Sequence, residues 1–570
     1  MKKPVIEFEN FGFKYDAQEK PTLYDISLTI YEGEKVLICG PSGCGKSTLA
    51  HCINGLIPQA YFGEKTGELK LCGKDTKDLT IFDISKMVGT VLQDSDGQFI
   101  GMTVAEDIAF ALENDVVEVD EIKRRVLDAA REVDIDEHLA HAPHEISGGQ
   151  KQRVSLAGVM VDDVNILLFD EPLANLDPAT GKQAIELIDD ISKKKNSTVV
   201  IIEHRLEDVL HRDIDRVILM GEGRIIADCS PDELLSGSLL KENGIREPLY
   251  ITALKYAGVN ITPEIKPAHI ESVVLNEETK KRVREWFEET PEAEKKPETE
   301  TALEAKDVSF SYPNGKRALN DISLVVKKGD ILSIVGRNGA GKSTFSKLIC
   351  GFEKQSEGAV LLNGEDMAPL SIKERADRIG YVMQNPNQMI CETMIRDEVA
   401  TGHRTRKVPE EEITKRVEDT LKICGLYPFR NWPVSALSFG QKKRVTIASI
   451  LVINPEIIIL DEPTAGQDYR HYTDIMEFLL ELNRKGVTVI MITHDMHLML
   501  EYSNRAVVFN DSRKVADDTP ANILTDSGVI EQASLKETSL YGLAVRCGLK
   551  RPRAFVQRFI DCDREVRSRD

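Results

Sequence analysis

Gly40-Pro41-Ser42-Gly43-Cys44-Gly45-Lys46-Ser47-Thr48 is the stretch whose reading decides the fold. It follows a strand-sized apolar run at 35–39 and leads into apolar residues at helical spacing. Between a strand and a helix, such glycines let backbone N–H groups turn inward around phosphate oxygens, and the helix start adds its dipole. Lys46 is then placed to reach β- and γ-phosphates, and Ser47 to offer its hydroxyl to Mg2+. The pattern recurs as Gly336-Arg337-Asn338-Gly339-Ala340-Gly341-Lys342-Ser343-Thr344, after the apolar run 331–335, with Lys342 and Ser343 in the same roles.

Working outward from the two copies, other landmarks repeat in order. Gln93 pairs with Gln384, Ser147-Gly148-Gly149-Gln150 with Ser438-Phe439-Gly440-Gln441, Asp170-Glu171 with Asp461-Glu462, and His204 with His494. Glutamine to serine is 54 residues in both halves, and serine to aspartate 23 in both. Repetition in register identifies two homologous domains in tandem. Each half carries continuous apolar runs (166–169 and 199–202; 457–460 and 487–492), as expected of parallel strands buried on both faces. Between the glutamine and the serine motif the period changes. Ile122, Val126, Ala129 and Val133 recur at helical spacing, as do Ile413, Val417, Leu421 and Cys424, so a helical subdomain is expected inside each α/β core.

The predicted organisation is a first domain at 1–240, its tail and an acidic, proline-containing linker at 241–302, a second domain at 303–530, and a C-terminal extension at 531–570. The linker, flexible and extended, is read from about 285 to 302, where charge and proline dominate. The end of the extension is locally basic (Arg546, Lys550, Arg551, Arg553, Arg558, Arg564, Arg567, Arg569) and reads as a solvated helix face.

Composition sets the outer bounds. The 570 residues are 41% hydrophobic and 29% charged, with a formal charge of −21, which excludes disordered and disulfide-stapled classes. Such an acidic chain argues against nucleic acid as main partner. No apolar run approaches the ~20 residues that span a bilayer, and the first residues do not form a signal segment. Ten scattered cysteines read as reduced thiols.

The chemistry follows from the spacing. Asp170 and Asp461 end buried strands and suit Mg2+, directly or through water. Glu171 and Glu462 come next and suit polarising an attacking water. His204 and His494 lie just past another apolar strand, where a ring nitrogen meets a γ-phosphate. Tyr15 and Tyr312, ahead of each glycine-rich loop in Phe-x-Tyr contexts, suit stacking on adenine, with an edge-strand core tyrosine as the competing reading.

This order resembles the ATP-binding cassette (ABC) ATPases, and the Ser-Gly-Gly-Gln element makes the resemblance specific. It implies two RecA-like P-loop domains, each with a β subdomain and a helical insertion. It further implies a head-to-tail sandwich in which each ATP lies between the P-loop of one cassette and the signature of the other. One site would combine Lys46, Gln93, Asp170, Glu171 and His204 with Ser438, Gly440 and Gln441. The other would combine Lys342, Gln384, Asp461, Glu462 and His494 with Ser147, Gly148, Gly149 and Gln150. The implied metal ligands are Ser47, Gln93 and Asp170 in one half and Ser343, Gln384 and Asp461 in the other. Phe439 replaces the first signature glycine, but the serine remains, and Asp177 and Asp468 are both kept, so both sites are expected to work.

The stretch from Gln93 to Phe110, and Ile202-Glu203-His204-Arg205, are similar to the ATPases of energy-coupling factor importers of vitamins and transition-metal ions. That resemblance implies a peripheral motor at the cytoplasmic face of the membrane, with a transmembrane coupling protein and a small substrate-binding membrane protein as partners; the cassette pair is intramolecular, so no homodimer is required. Asp94, Asp96, Glu106, Asp107, Asp397 and Glu398 would suit the coupling protein's arginines. The alternative reading for these acids is a solvated helix start. The alternative function is a soluble tandem ABC protein acting on ribosomes or nucleic acid, whose connector would be long and basic rather than acidic.

Overall fold

A computed structural model describes residues 2–92, 96–162, 164–174, 176–292, 299–464, 467 and 469–567. The chain divides into two compact units, Met1–Trp286 with Arg546–Gly548, and Phe287–Val545 with Leu549–Asp570.

Each unit is α/β and carries a six-stranded sheet. In the first unit its order is Arg224–Cys229, Arg216–Gly221, Lys35–Cys39, Thr198–Ile202, Ile166–Asp170, Val88–Val91. All neighbours are parallel except the hairpin at the Arg224–Cys229 edge. The second unit repeats it as Ile379–Val382, Ile457–Asp461, Thr488–Ile492, Ile331–Gly336, Arg505–Asn510, Arg513–Asp518. A four-stranded antiparallel sheet accompanies each, built on Pro4–Tyr15 and on Thr301–Ser311.

The apolar runs are continuous because their residues alternate between two cores. Leu37, Leu167, Phe169, Val199 and Ile201 join the helical insertion on one face. Val36, Ile38, Ile166, Leu168, Val200 and Ile202 join the antiparallel sheet on the other. The second unit divides Ile458, Leu460, Val489 and Met491 from Ile457, Ile459, Ile490 and Ile492 in the same way. With both faces covered, both sets of alternating positions are predominantly apolar. The expected insertions are present as Val104–Asn114, Val119–Glu132 and Gly148–Met160, and as Ile395–Arg404, Glu410–Ile423 and Phe439–Leu451.

Two expectations are corrected. The linker does not begin at 285, because a helix runs Glu277–Glu289. Val283 and Phe287 stand four residues apart on one helical face, and both are buried. Thr301 already opens a strand, and residues 293–298 lie outside the described residues. Among the described residues, the basic C-terminal end is a solvated face only at Lys550, Arg551 and Arg553, and not beyond them. In the helix Pro552–Arg567, Arg558 is buried against the Phe287 ring, 4.4 Å from its centroid, and pairs with Glu292 at 2.8 Å. Arg564 donates to the carbonyls of Glu501 and Ser503, and Arg567 pairs with Glu501 at 2.9 Å and Asp563 at 2.6 Å. Phe555, Val556, Phe559 and Ile560 give that helix an apolar face, and the arginines beside it are drawn inside with their partners. Arg569 lies outside the described residues.

Candidate functional site

Each glycine-rich loop closes into a turn that only glycine permits at its key points. Gly40, Gly43 and Gly45 take φ of +155°, +76° and +101°, and Gly336, Gly339 and Gly341 take +133°, +80° and +102°. A Cβ on Gly40 would stand 2.3 Å from the carbonyl oxygen of Met220, and one on Gly336 only 1.9 Å from that of Phe509. The loops thus press against the neighbouring strands. A Cβ on Gly43 or Gly339 would meet nothing within 4 Å, so these two face open space. The helices Lys46–Ile53 and Lys342–Cys350 start immediately afterwards. Lys46 Nζ donates to the carbonyls of Gly40 (2.7 Å) and Pro41 (2.9 Å), and Lys342 Nζ to those of Gly336 (2.8 Å) and Arg337 (2.9 Å). Tyr15 and Tyr312 each place their hydroxyl 3.0 Å from the threonine of the same loop, Thr48 and Thr344.

The acids arrive on the strands Ile166–Asp170 and Ile457–Asp461. Burial, then the charge of Glu171, pushes the Asp170 carboxyl up to about 6, against a hydrogen bond from Ser47. Its Oδ1 is buried without a hydrogen-bond partner. A carboxylate oxygen left unsatisfied beside a serine hydroxyl at a helix start fits a hard divalent cation such as Mg2+. Asp461 is raised by burial too, but Tyr381 donates its hydroxyl to Asp461 at 2.9 Å, and Ser343 also bonds to it. Position 90, which pairs with the neighbouring strand as Tyr381 does, holds a threonine instead.

Glu171 and Glu462 sit just past their strands at φ of +50° and +46°, each with its N–H bonded to the carbonyl of the strand beside it, Ile202 and Ile492. The histidines differ between the units. His494 Nδ1 is 2.9 Å from Glu462 Oε1. His204 Nδ1 is 3.9 Å from Glu171 and 3.2 Å from Glu203, a fully buried acid. The second unit has Thr493 where the first has Glu203. Spacing pointed to both histidines but gave no sign of this competition.

Ser147 and Ser438 cap the helices Gly148–Met160 and Phe439–Leu451 through reciprocal bonds with Gln150 and Gln441. These two glutamines are engaged in building the helix start. Phe439 occupies the tolerant signature position. A Cβ on Gly148 would find its nearest neighbour, Leu176, 4.0 Å away, whereas on Gly149 it would stand 2.4 Å from Thr180. Gly440 is tighter as well, with Gln467 at 3.2 Å.

Gln93 lies outside the described residues, as do Asp94 and Asp468. Gln384 is exposed in the loop after the strand Ile379–Val382. The acids expected to meet a partner's arginines are, where described, largely engaged by local structure. Asp107 accepts from the N–H groups of Ile100 and Gly101, Glu106 from Met102 and Thr103, and Glu398 from Cys391 and Glu392. Asp397 pairs with Arg404 at 2.9 Å. The exposed feature beside the first glutamine loop is apolar, with Ile100 66% and Met102 82% exposed.

Two family models match parts of the chain. A family model described as "ABC transporter" matches residues 23–174 and 319–465. A second, described as "ATP-binding cassette cobalt transporter", matches 237–310. A putative ABC transporter ATP-binding protein of Clostridium perfringens is 61% identical over 567 residues, 100% of both chains. One of Enterococcus faecalis is 57% identical over 570 residues, again 100% of both. Among solved structures, cbiO1 from Clostridium perfringens, described as part of the ABC transporter complex cbiONQ, covers 41% of this chain and 94% of its own at 34% identity, with a TM-score of 0.39.

Proposed function

The chain belongs to the ABC transporter ATP-binding family of ATP-hydrolysing transport ATPases, and from that premise we propose that it is the double-cassette motor of an energy-coupling-factor-type importer of a vitamin or transition-metal ion. The observation that carries the reading is the occurrence, twice in one chain, of a complete set of phosphate loop, strand-end acid, following glutamate and histidine. The cobalt-transporter family match over 237–310 supports the cargo class. No helix among the described residues is long and apolar enough to cross a membrane, so on this reading the translocation path belongs to other chains. The partners are a transmembrane coupling protein and a small substrate-binding membrane protein. The exposed Ile100 and Met102 suit an apolar part of the docking surface.

In the proposed mechanism the loop N–H groups and Lys46 or Lys342 hold the β- and γ-phosphates of ATP. Ser47 and Asp170, or Ser343 and Asp461, would hold Mg2+, which would supply charge neutralisation on the phosphates. Gln93 and Gln384 would complete those ligand sets. Glu171 and Glu462 orient the attacking water and accept its proton, and His204 and His494 hold the γ-phosphate side of the site. Each signature serine, Ser147 or Ser438, faces the nucleotide held by the other cassette's loop. It therefore binds only when the cassettes close, which gives ATP a differential affinity for the closed state.

The test uses the full chain purified with its membrane partners. Glu171→Gln combined with Glu462→Gln should lower ATP turnover by at least about a hundredfold while nucleotide still binds. Unchanged turnover in that double variant would overturn the assignment of the glutamates. Recovery of ribosomal RNA in place of membrane proteins from detergent-solubilised membranes would favour the soluble alternative.

A further inference from the structure

We propose that Lys443 is a positioning residue that holds the backbone around Gln384 from the signature helix, a tie that the first cassette makes differently, from inside its own loop. The inference rests on the reading of Gln384 as a site residue.

Lys443 lies in the helix Phe439–Leu451, five residues after Ser438, and only 1% of it is exposed. Its ammonium donates to the carbonyls of Met383 and Gln384, both at 2.8 Å. A fully buried ammonium is costly unless hydrogen-bonded, and these two carbonyls are what satisfy it.

The corresponding residue of the first signature helix is Gln152, and it goes elsewhere. Its Nε2 donates at 2.6 Å to the carbonyl of Pro172, in the turn after Glu171. There the backbone just before the glutamine, at Thr90 and Leu92, is held by Gln98. Gln98 Oε1 accepts the N–H of Leu92 at 3.2 Å, and its Nε2 donates to the carbonyl of Thr90 at 3.0 Å. The residue at the equivalent place in the second loop is Met389, whose thioether lies 3.1 Å from the N–H of Met383. A thioether is a weak acceptor and donates nothing, so it cannot replace the amide. Two exchanges thus compensate each other across 54 residues of chain. Where the loop loses Gln98 to methionine, the signature helix gains a lysine long enough to reach it. The second glutamine loop is consequently tied to the helix that begins at Ser438.

The test is amide hydrogen exchange on the full-length chain, together with steady-state ATPase kinetics. Lys443→Met should speed exchange at Asn387, Gln388 and Met389 by about tenfold or more, as expected on losing two charge-assisted bonds. It should lower kcat severalfold with KM for ATP little changed. Lys443→Gln should behave similarly, and adding Met389→Gln to it should restore loop protection by recreating the first cassette's arrangement. Gln152→Leu should leave exchange around Gln98 unchanged. Unaltered exchange at 387–389 in a folded Lys443→Met chain, or failure of Met389→Gln to restore protection, would overturn the proposal. Faster exchange with unaltered kcat would show that the tie is real but that Gln384 is not a site residue, a failure of the functional reading alone.

Discussion

Gly336 and Gly339 are three residues apart in one loop and make opposite demands. A side chain on Gly336 would drive a Cβ to 1.9 Å from a backbone oxygen of the neighbouring strand, which cannot yield cheaply. Gly336→Ala should therefore destabilise the second unit by about 3 kcal/mol or more, seen as a lowered melting transition. Gly339→Ala meets no atom and bears only the left-handed backbone penalty of about 1–2 kcal/mol. It should melt close to the wild type yet bind a fluorescent ATP analogue more weakly, because its methyl would enter the space the loop leaves open. Equal melting losses in both variants would contradict this division. The glycines, lysines and strand-end acids were legible in sequence because their chemistry depends on neighbours a few residues away. The pull of Glu203 on His204 was not, because a glutamate before a histidine carries no sign of how deeply it is buried.

The strand Lys35–Cys39 delivers the first phosphate loop, and its foot is fixed by an ion pair between Lys35 and Asp189 of the helix Pro178–Lys195. Burial pushes Asp189 up, but hydrogen bonds and charge from Lys193 and Lys35 more than reverse this and hold its carboxyl below the usual range. A carboxylate depressed in the folded state stabilises it above the unfolded pKa, near 4, and that contribution disappears as pH falls through the folded value. Asp189→Asn leaves Lys35 without its buried partner and should cost about 3 kcal/mol at pH 7 in urea unfolding. The difference from wild type should narrow below about pH 4, and a gap independent of pH would show that the pair does not hold the strand. At this scale sequence gave the strands and the helical insertion, since a change of period is a local signal. It misplaced the start of the linker because charge outweighed the Val283–Phe287 pair on one face of the helix.

Over the whole molecule the C-terminal segment is the part composition misjudged. Phe555, Val556, Phe559 and Ile560 are buried, at about 1.5–3 kcal/mol for each large apolar side chain. Arg564 and Arg567 bind the end of the helix Met496–Tyr502, which follows His494. Their sum rivals the entire margin of a typical domain, about 5–15 kcal/mol. Removing residues 549–570 should abolish the cooperative melting of the second unit while the first unit's transition persists in calorimetry. A truncated chain that melts like the full one would make the segment dispensable.

Sequence by itself determined that this protein is two P-loop cassettes in tandem, each with a helical insertion. Those features are written in short-range spacing, because a turn, a strand or a helix start is decided by residues adjacent in the chain. Only the tertiary structure decided that Lys443 holds the second glutamine loop, that Tyr381 bonds Asp461, and that Arg558, Arg564 and Arg567 turn to partners within the fold. Each of these depends on a partner tens of residues away or more, and a charged side chain looks the same in sequence whether water or a buried carbonyl receives it.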